Sequence, residues 1–104
     1  MLKKTLIGST TSAAKALLIV ENWNLNGSIF LFGSGLASNA ETVTIEIATV
    51  ENPDVSNDAH WATFVYDSDS YVLNSANHGQ GIPLRGTYRI NKPVSSTAFG
   101  IRYE

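Results

Sequence analysis

A chain of 104 residues, 43% of them hydrophobic, has the length of one domain and can bury about two-thirds of the surface its unfolded form exposes, so its core needs no metal or disulfide. Seven Lys and Arg against nine Asp and Glu leave a net charge of −2, which gives no electrostatic grip on nucleic acid or an anionic membrane, and the absence of cysteine excludes disulfides, thiol chemistry and cysteine zinc sites. A charged fraction of 15%, well below the ~25% of ordinary soluble domains, points to a protein that assembles.

Lys3 and Lys4 ahead of Leu6 and Ile7 imitate the start of a secretory signal, but Thr10, Thr11, Ser12 and Lys15 interrupt the apolar stretch such a signal needs. The run Ala16-Leu17-Leu18-Ile19-Val20 is about a quarter of the ~20 residues that cross a bilayer. These features describe a soluble chain with its own start methionine and no export address. Residues 1–12 read as a flexible arm or a first edge strand, with Leu2, Leu6 and Ile7 as the side chains that reach a neighbouring subunit. Residues 13–104 carry the folded domain.

From there strand signals repeat. Residues 16–20 form a short β-branched apolar run, and Asn26-Gly27 between Leu25 and the run Ser28–Phe32 predicts a hairpin, because a type I′ turn needs φ > 0 at both central positions. In residues 41–47, Val43, Ile45 and Ile47 share one face while Thr42, Thr44 and Glu46 share the other, the period of a half-buried strand. Val50 breaks that parity, which marks a bulge or the end of the strand near Ala48. Residues 52–59 are a polar loop. Residues 61–66 read as one strand with apolar groups on both faces, central in a sheet or against a partner subunit. Asp67-Ser68-Asp69 turns the chain into Tyr71-Val72-Leu73, and residues 74–81 form a second polar loop. Tyr88 and Ile90 share one face with Thr87, Arg89 and Asn91 on the other, Lys92-Pro93 closes that strand, and residues 97–103 make the last. Seven to eight short strands without a helix predict an all-β chain, a single antiparallel β-sandwich of jelly-roll or immunoglobulin-like topology.

No constellation of residues calls for catalysis. His60 and His78 lie eighteen residues apart, outside any ligand spacing, and read as exposed polar residues. Asp54, Asp58, Asp67 and Asp69 suit turns through side-chain to backbone bonds and lack the glycine and distal glutamate of a calcium loop. Gly33-Ser34-Gly35 precedes a further strand rather than the helix N-terminus a pyrophosphate needs, and no G-x-S-x-G elbow occurs. The expected catalytic, cofactor and metal residues are therefore none. Trp23, Trp61, Tyr66, Tyr71 and Tyr88 fit core and subunit interface, with a sugar-stacking platform as the alternative. Trp23, Trp61 and Tyr66 join Leu2, Leu6 and Ile7 as the expected interface.

Two stretches carry a family likeness. Ala40-Glu41-Thr42-Val43-Thr44-Ile45-Glu46-Ile47 followed by Trp61, and Leu84-Arg85-Gly86-Thr87-Tyr88-Arg89-Ile90-Asn91-Lys92-Pro93 followed by Ala98-Phe99-Gly100-Ile101, resemble small β-sandwich structural proteins of tailed bacteriophages. Gly86, Tyr88, Lys92 and Pro93 are the distinctive positions, since strand alternation does not demand them. The chain departs from that pattern at residues 52–58, where a polar insertion replaces a tight turn. The resemblance implies a non-enzymatic virion component on the capsid surface, assembled in the bacterial host cytoplasm. As a capsid decoration (cement) protein, it would be a homo-oligomer, trimer or dimer, partnered with the major capsid protein and with neither nucleic acid nor membrane. The alternative it implies is a carbohydrate- or receptor-binding module of a tail or fibre.

Overall fold

The computed structural model describes residues 4–21, 28–33 and 41–104. Among them the chain is all-β, with antiparallel strands and one 3-10 turn at Asp58–His60. In chain order the strands are β1 (Lys4–Thr10), β2 (Ala14–Val20), β3 (Ser28–Phe32), β4 (Val43–Ala48), β5 (Trp61–Thr63), β6 (Val65–Tyr66), β7 (Asp69–Ser70), β8 (Val72–Leu73), β9 (Gly79–Gly81), β10 (Gly86–Lys92) and β11 (Phe99–Tyr103). One sheet runs β1-β11-β3-β9. The other runs β2-β10-β4-β5, with β8 also on β4, and β6 and β7 form a separate hairpin. Residues 4–10 are thus an edge strand, hydrogen-bonded to β11.

Both larger sheets feed one core. Ile7, Ile29, Leu31, Phe99 and Ile101 come from the first; Leu18, Val20, Val43, Ile45, Leu73, Tyr88 and Ile90 come from the second. The alternation is what selects these residues, because a period of two puts every second side chain on one face. Val43, Ile45, Tyr88, Ile90 and Ile101 have no exposed surface. Where β1 crosses β11, Gly100 lets the backbones approach: a Cβ there would stand 2.5 Å from the Ile7 carbonyl oxygen and 2.7 Å from the Phe32 ring.

The expected continuous strand over 61–66 is broken. Phe64 turns into the core between β5 and β6, its N–H donating to the Ile45 carbonyl. β5 is consequently short and sits at the rim of its sheet rather than in its middle. β6 and β7 then project as a hairpin turned by Asp67 and Ser68, whose φ values of 55° and 67° are those a two-residue hairpin turn requires. The loop expected at 74–81 contributes β9 to the first sheet. The Asn26-Gly27 turn lies outside the described residues.

Candidate functional site

On the face of β10 away from the core, Arg89 stands opposite Leu17 of β2 on one side and Glu46 of β4 on the other. Sheet geometry alone would leave it in water, yet it is 2% exposed. The cover is residues 49–60. This loop is built by local bonds of the kind that Asp, Asn and Ser favour: the Asp54 carboxylate accepts from the Ser56 N–H (2.9 Å), and the Asn57 side-chain oxygen accepts from the Ala59 N–H (3.0 Å). The His60 Nδ1 accepts from the Asp54 N–H (2.9 Å), and the Thr49 N–H donates to the His60 carbonyl (2.8 Å), closing the loop at its base.

Arg89 and Trp61 fasten that loop to the sheet. The Arg89 Nε donates to Glu46 Oε1 at 2.6 Å, and its Nη1 donates to Asp58 Oδ1 at 2.8 Å and to the Val55 carbonyl at 3.0 Å. The guanidinium lies 5.6 Å from the Trp61 ring centroid, and the Trp61 indole N–H donates to the Asp54 carbonyl at 2.9 Å. Lys15 of β2 adds an ion pair to Asp58 at 3.2 Å. The electrostatics follow the contacts. The hydrogen bond from Arg89, then that from Lys15, hold the Asp58 carboxyl below its usual range, and the bond to Glu46 raises the Arg89 guanidinium further despite its burial. A shallow depression of about 340 Å³ lies beside the loop, lined by Ala13, Ala14, Lys15, Val55 and Ser56. The result is a loop held by local hydrogen bonds, with Glu51, Ser56 and Asn57 exposed and Val50 43% exposed at its start. Such a surface can recognise a partner at little ordering cost, because its conformation is set before binding.

A second buried cation closes the C-terminal end of the same strand. Lys92, with no exposed surface, donates to the Ser12 carbonyl (3.0 Å), the Pro93 carbonyl (3.1 Å) and the Ser95 hydroxyl (3.1 Å), and its ammonium lies 4.4 Å from the Phe99 ring centroid. All three ammonium protons are taken, so the group is a clasp between the β1–β2 turn and residues 93–95. Burial lowers its pKa, opposed by the charge of Glu41.

The side chains expected at an interface are dispersed. Ile7 is 6% exposed in the core and Leu6 packs half-buried against it. Trp61 is 7% exposed beneath the loop; Tyr66, 40% exposed, stands on β6. Leu2 and Trp23 lie outside the described residues. His60 belongs to the loop and His78 sits exposed beside β9 of the other sheet. Among the described residues no three His, Asp or Glu side chains are grouped so as to hold a metal ion, and no helix is long and apolar enough to cross a membrane. Arg89, Glu46 and the clasp role of Lys92 were not expected as site features. The available signal was a lone arginine within the apolar alternation of 88–90, facing away from the core with no visible reason to be there. No protein-family model matches the chain, and no curated protein or solved structure matches it either.

Proposed function

We propose that this chain is a structural protein of a tailed-bacteriophage virion, a decoration (cement) protein that binds the head lattice formed by the major capsid protein, stabilises it and catalyses no reaction. In this reading the two larger sheets are the layers of one β-sandwich of jelly-roll or immunoglobulin-like kind, and the molecule sits as a homo-oligomer on the capsid surface. The observation that carries it is the loop 49–60. Asp54, Asp58 and His60, with Arg89 and Lys15, hold one another and the loop backbone, leaving a bonded polar surface of the sort that loops on β scaffolds use for recognition. The residues of the likeness support it as well: Tyr88 and Lys92 serve the scaffold, the Tyr88 hydroxyl donating to the Leu84 carbonyl at 2.7 Å. A ligand that binds only the assembled shell lowers its free energy by RT ln(1 + [L]/Kd), and repetition over many subunits multiplies weak contacts.

The test uses heads assembled from a tailed-bacteriophage major capsid protein, beginning with any that the reading frames beside this chain encode. The chain should co-sediment with them and raise their melting temperature, and Ser56→Arg should reduce occupancy while leaving the unfolding of the free protein unchanged. Full occupancy with Ser56→Arg removes the loop from the interface, and heads that never retain the chain overturn the proposal. Deleting residues 1–12 does not isolate an arm, since it removes β1 and takes Ile7 out of the core.

One observation favours the alternative of a carbohydrate-binding tail or fibre module. Tyr66 is exposed with its ring 6.3 Å from Phe64 and 6.5 Å from Tyr71, centroid to centroid, a small aromatic shelf. Glycan binding abolished by Tyr66→Ala would select that reading over the capsid one. Trp61→Ala does not probe it, because that ring is buried under the loop.

A further inference from the structure

We propose that the edge of β2 is a self-association site, at which a second copy of this chain adds its own β2 antiparallel and joins the two β2-β10-β4-β5 sheets into one. An open strand edge displays a row of N–H and C=O groups that another strand can pair, and proteins ordinarily blunt such edges. Among the described residues the other edges of the two larger sheets are blunted. β1 pairs β11 with register shifts on both sides of Ile7 and carries Lys4, Thr5, Ser9 and Thr10. β9 is the three-residue segment Gly79–Gly81, and the rim formed by β5 and β8 is three and two residues long.

β2 is different. It pairs β10 in unbroken register over seven positions, and β10 is its one strand partner among the described residues. At about 3.4 Å per residue it offers an edge roughly 24 Å long. Its sequence is Ala-Lys-Ala-Leu-Leu-Ile-Val, with Leu17 44% and Ile19 55% exposed on the face away from the core.

The sequence also specifies the occupant. Residues 15–21 read Lys-Ala-Leu-Leu-Ile-Val-Glu, self-complementary about Leu18. With a two-fold axis at Leu18, Leu17 of each copy faces Ile19 of the other, Ala16 faces Val20, and Lys15 faces Glu21. Both charge pairs are opposite in sign, every apolar residue meets an apolar one, and inward residues stay inward because positions that sum to an even number share a face. An isologous contact of this kind closes at two copies. A single strand edge is small beside the ~1,200–2,000 Å² of standard interfaces, which puts the contact in the class whose association is transient and set by concentration. This inference does not depend on the capsid reading.

Sedimentation of the full chain from about 1 µM to about 1 mM tests it, a span that covers weak dimers. The mass should rise with concentration from 11.2 kDa towards twice that value. Glu21→Lys sets lysine against lysine across the axis twice, and Lys15→Glu sets glutamate against glutamate, so each variant alone should associate about tenfold more weakly. An equimolar mixture of the two restores both opposite pairs and should recover dimer. Glu21 lies beyond the strand and is exposed, so Glu21→Lys preserves the fold; Lys15→Glu also breaks the ion pair to Asp58, and urea unfolding of each variant separates lost association from lost structure. A mass of 11.2 kDa throughout overturns the proposal, as does a wild-type dimer that neither variant weakens, or a mixture no more associated than its parts.

Discussion

Arg89 and Lys92 lie three residues apart on one strand, both almost fully buried, and they are neutralised in opposite ways. Arg89 faces away from the core and is buried by a loop brought to it, with Glu46 and Asp58 supplying negative charge. Lys92 has the parity of Tyr88 and Ile90 and meets three uncharged oxygens. Charge-assisted pairs hold the guanidinium ionised, while burial against neutral acceptors makes the ammonium easier to deprotonate. The difference separates two uses of a buried cation: one recruits a surface loop, the other ties backbone ends together.

The comparison breaks most visibly at Arg89. Arg89→Leu leaves the Glu46 carboxylate, whose side chain is 14% exposed, without its partner and frees the loop from the sheet. Removing one member of a buried pair costs about 3 kcal/mol or more. Urea unfolding should show that loss, and protection of the Thr49 N–H, bonded to the His60 carbonyl, should fall further than global stability does. Arg89→Lys keeps the charge but not the fork that reaches Glu46, Asp58 and Val55 together, so it should recover less than half of the difference. Full recovery would mean that charge alone holds the loop.

Lys92→Met gives the next largest effect, about 2 kcal/mol, because the oxygens of Ser12, Pro93 and Ser95 lose a donor while the cost of burying the ammonium disappears. Its pH dependence sharpens the contrast. The folded-state pKa of Lys92 lies below 10.5, so between those two values the unfolded chain holds more protons, and stability rises with pH. The advantage of wild type over Lys92→Met should therefore widen as pH climbs through that interval. Tyr88 works the other way: burial, and then the neighbouring Tyr71, push its hydroxyl up to about 12, so the folded state holds the extra proton and stability falls between pH 10 and 12. Tyr88→Phe, which loses the 2.7 Å bond to Leu84 and costs about 1 kcal/mol at neutral pH, should remove the larger part of that alkaline decline, the Tyr71 hydroxyl, also raised by burial, supplying the remainder. A decline left undiminished by Tyr88→Phe would place it elsewhere.

How much of this was legible beforehand follows from range. Alternation is local, and it put Val43 with Ile45 and Tyr88 with Ile90 on shared faces, which the structure turns inward, because a pleat allows no other distribution of those side chains. It placed Arg89 on the far face for the same reason, and the structure agrees with the direction but buries the residue under a loop that lies some thirty positions earlier. No local pattern encodes that fold-over; it depends on the β4–β10 register that sets Arg89 opposite Glu46. The run 61–66 failed as a single strand because two demands compete there, the loop anchor at Trp61 and the core position of Phe64. Of the interface side chains expected, Trp61 and Ile7 are apolar groups whose surface the chain itself buries, and Tyr66 alone among those described stands substantially in solvent.

Asp58→Asn is the smallest of these changes and the most diagnostic of how Arg89 is held. The Asp58 side chain is 76% exposed, so its pairs with Arg89 and Lys15 act through water-weakened attraction, whereas Glu46 meets the same guanidinium where water is largely excluded. Its carboxyl titrates below 3.8 in the folded protein, chiefly through the hydrogen bond from Arg89, so its contribution is complete above 3.8 and lost as pH falls through the lowered folded value. Urea unfolding of wild type and Asp58→Asn should differ at pH 7 and converge in strong acid. In 1 M NaCl, where the screening length is about 3 Å, the difference should shrink at pH 7 as well, while the large penalty of Arg89→Leu persists. Equal salt sensitivity in both variants would show that the two carboxylates hold Arg89 alike, and that burial of Glu46 adds nothing to its grip.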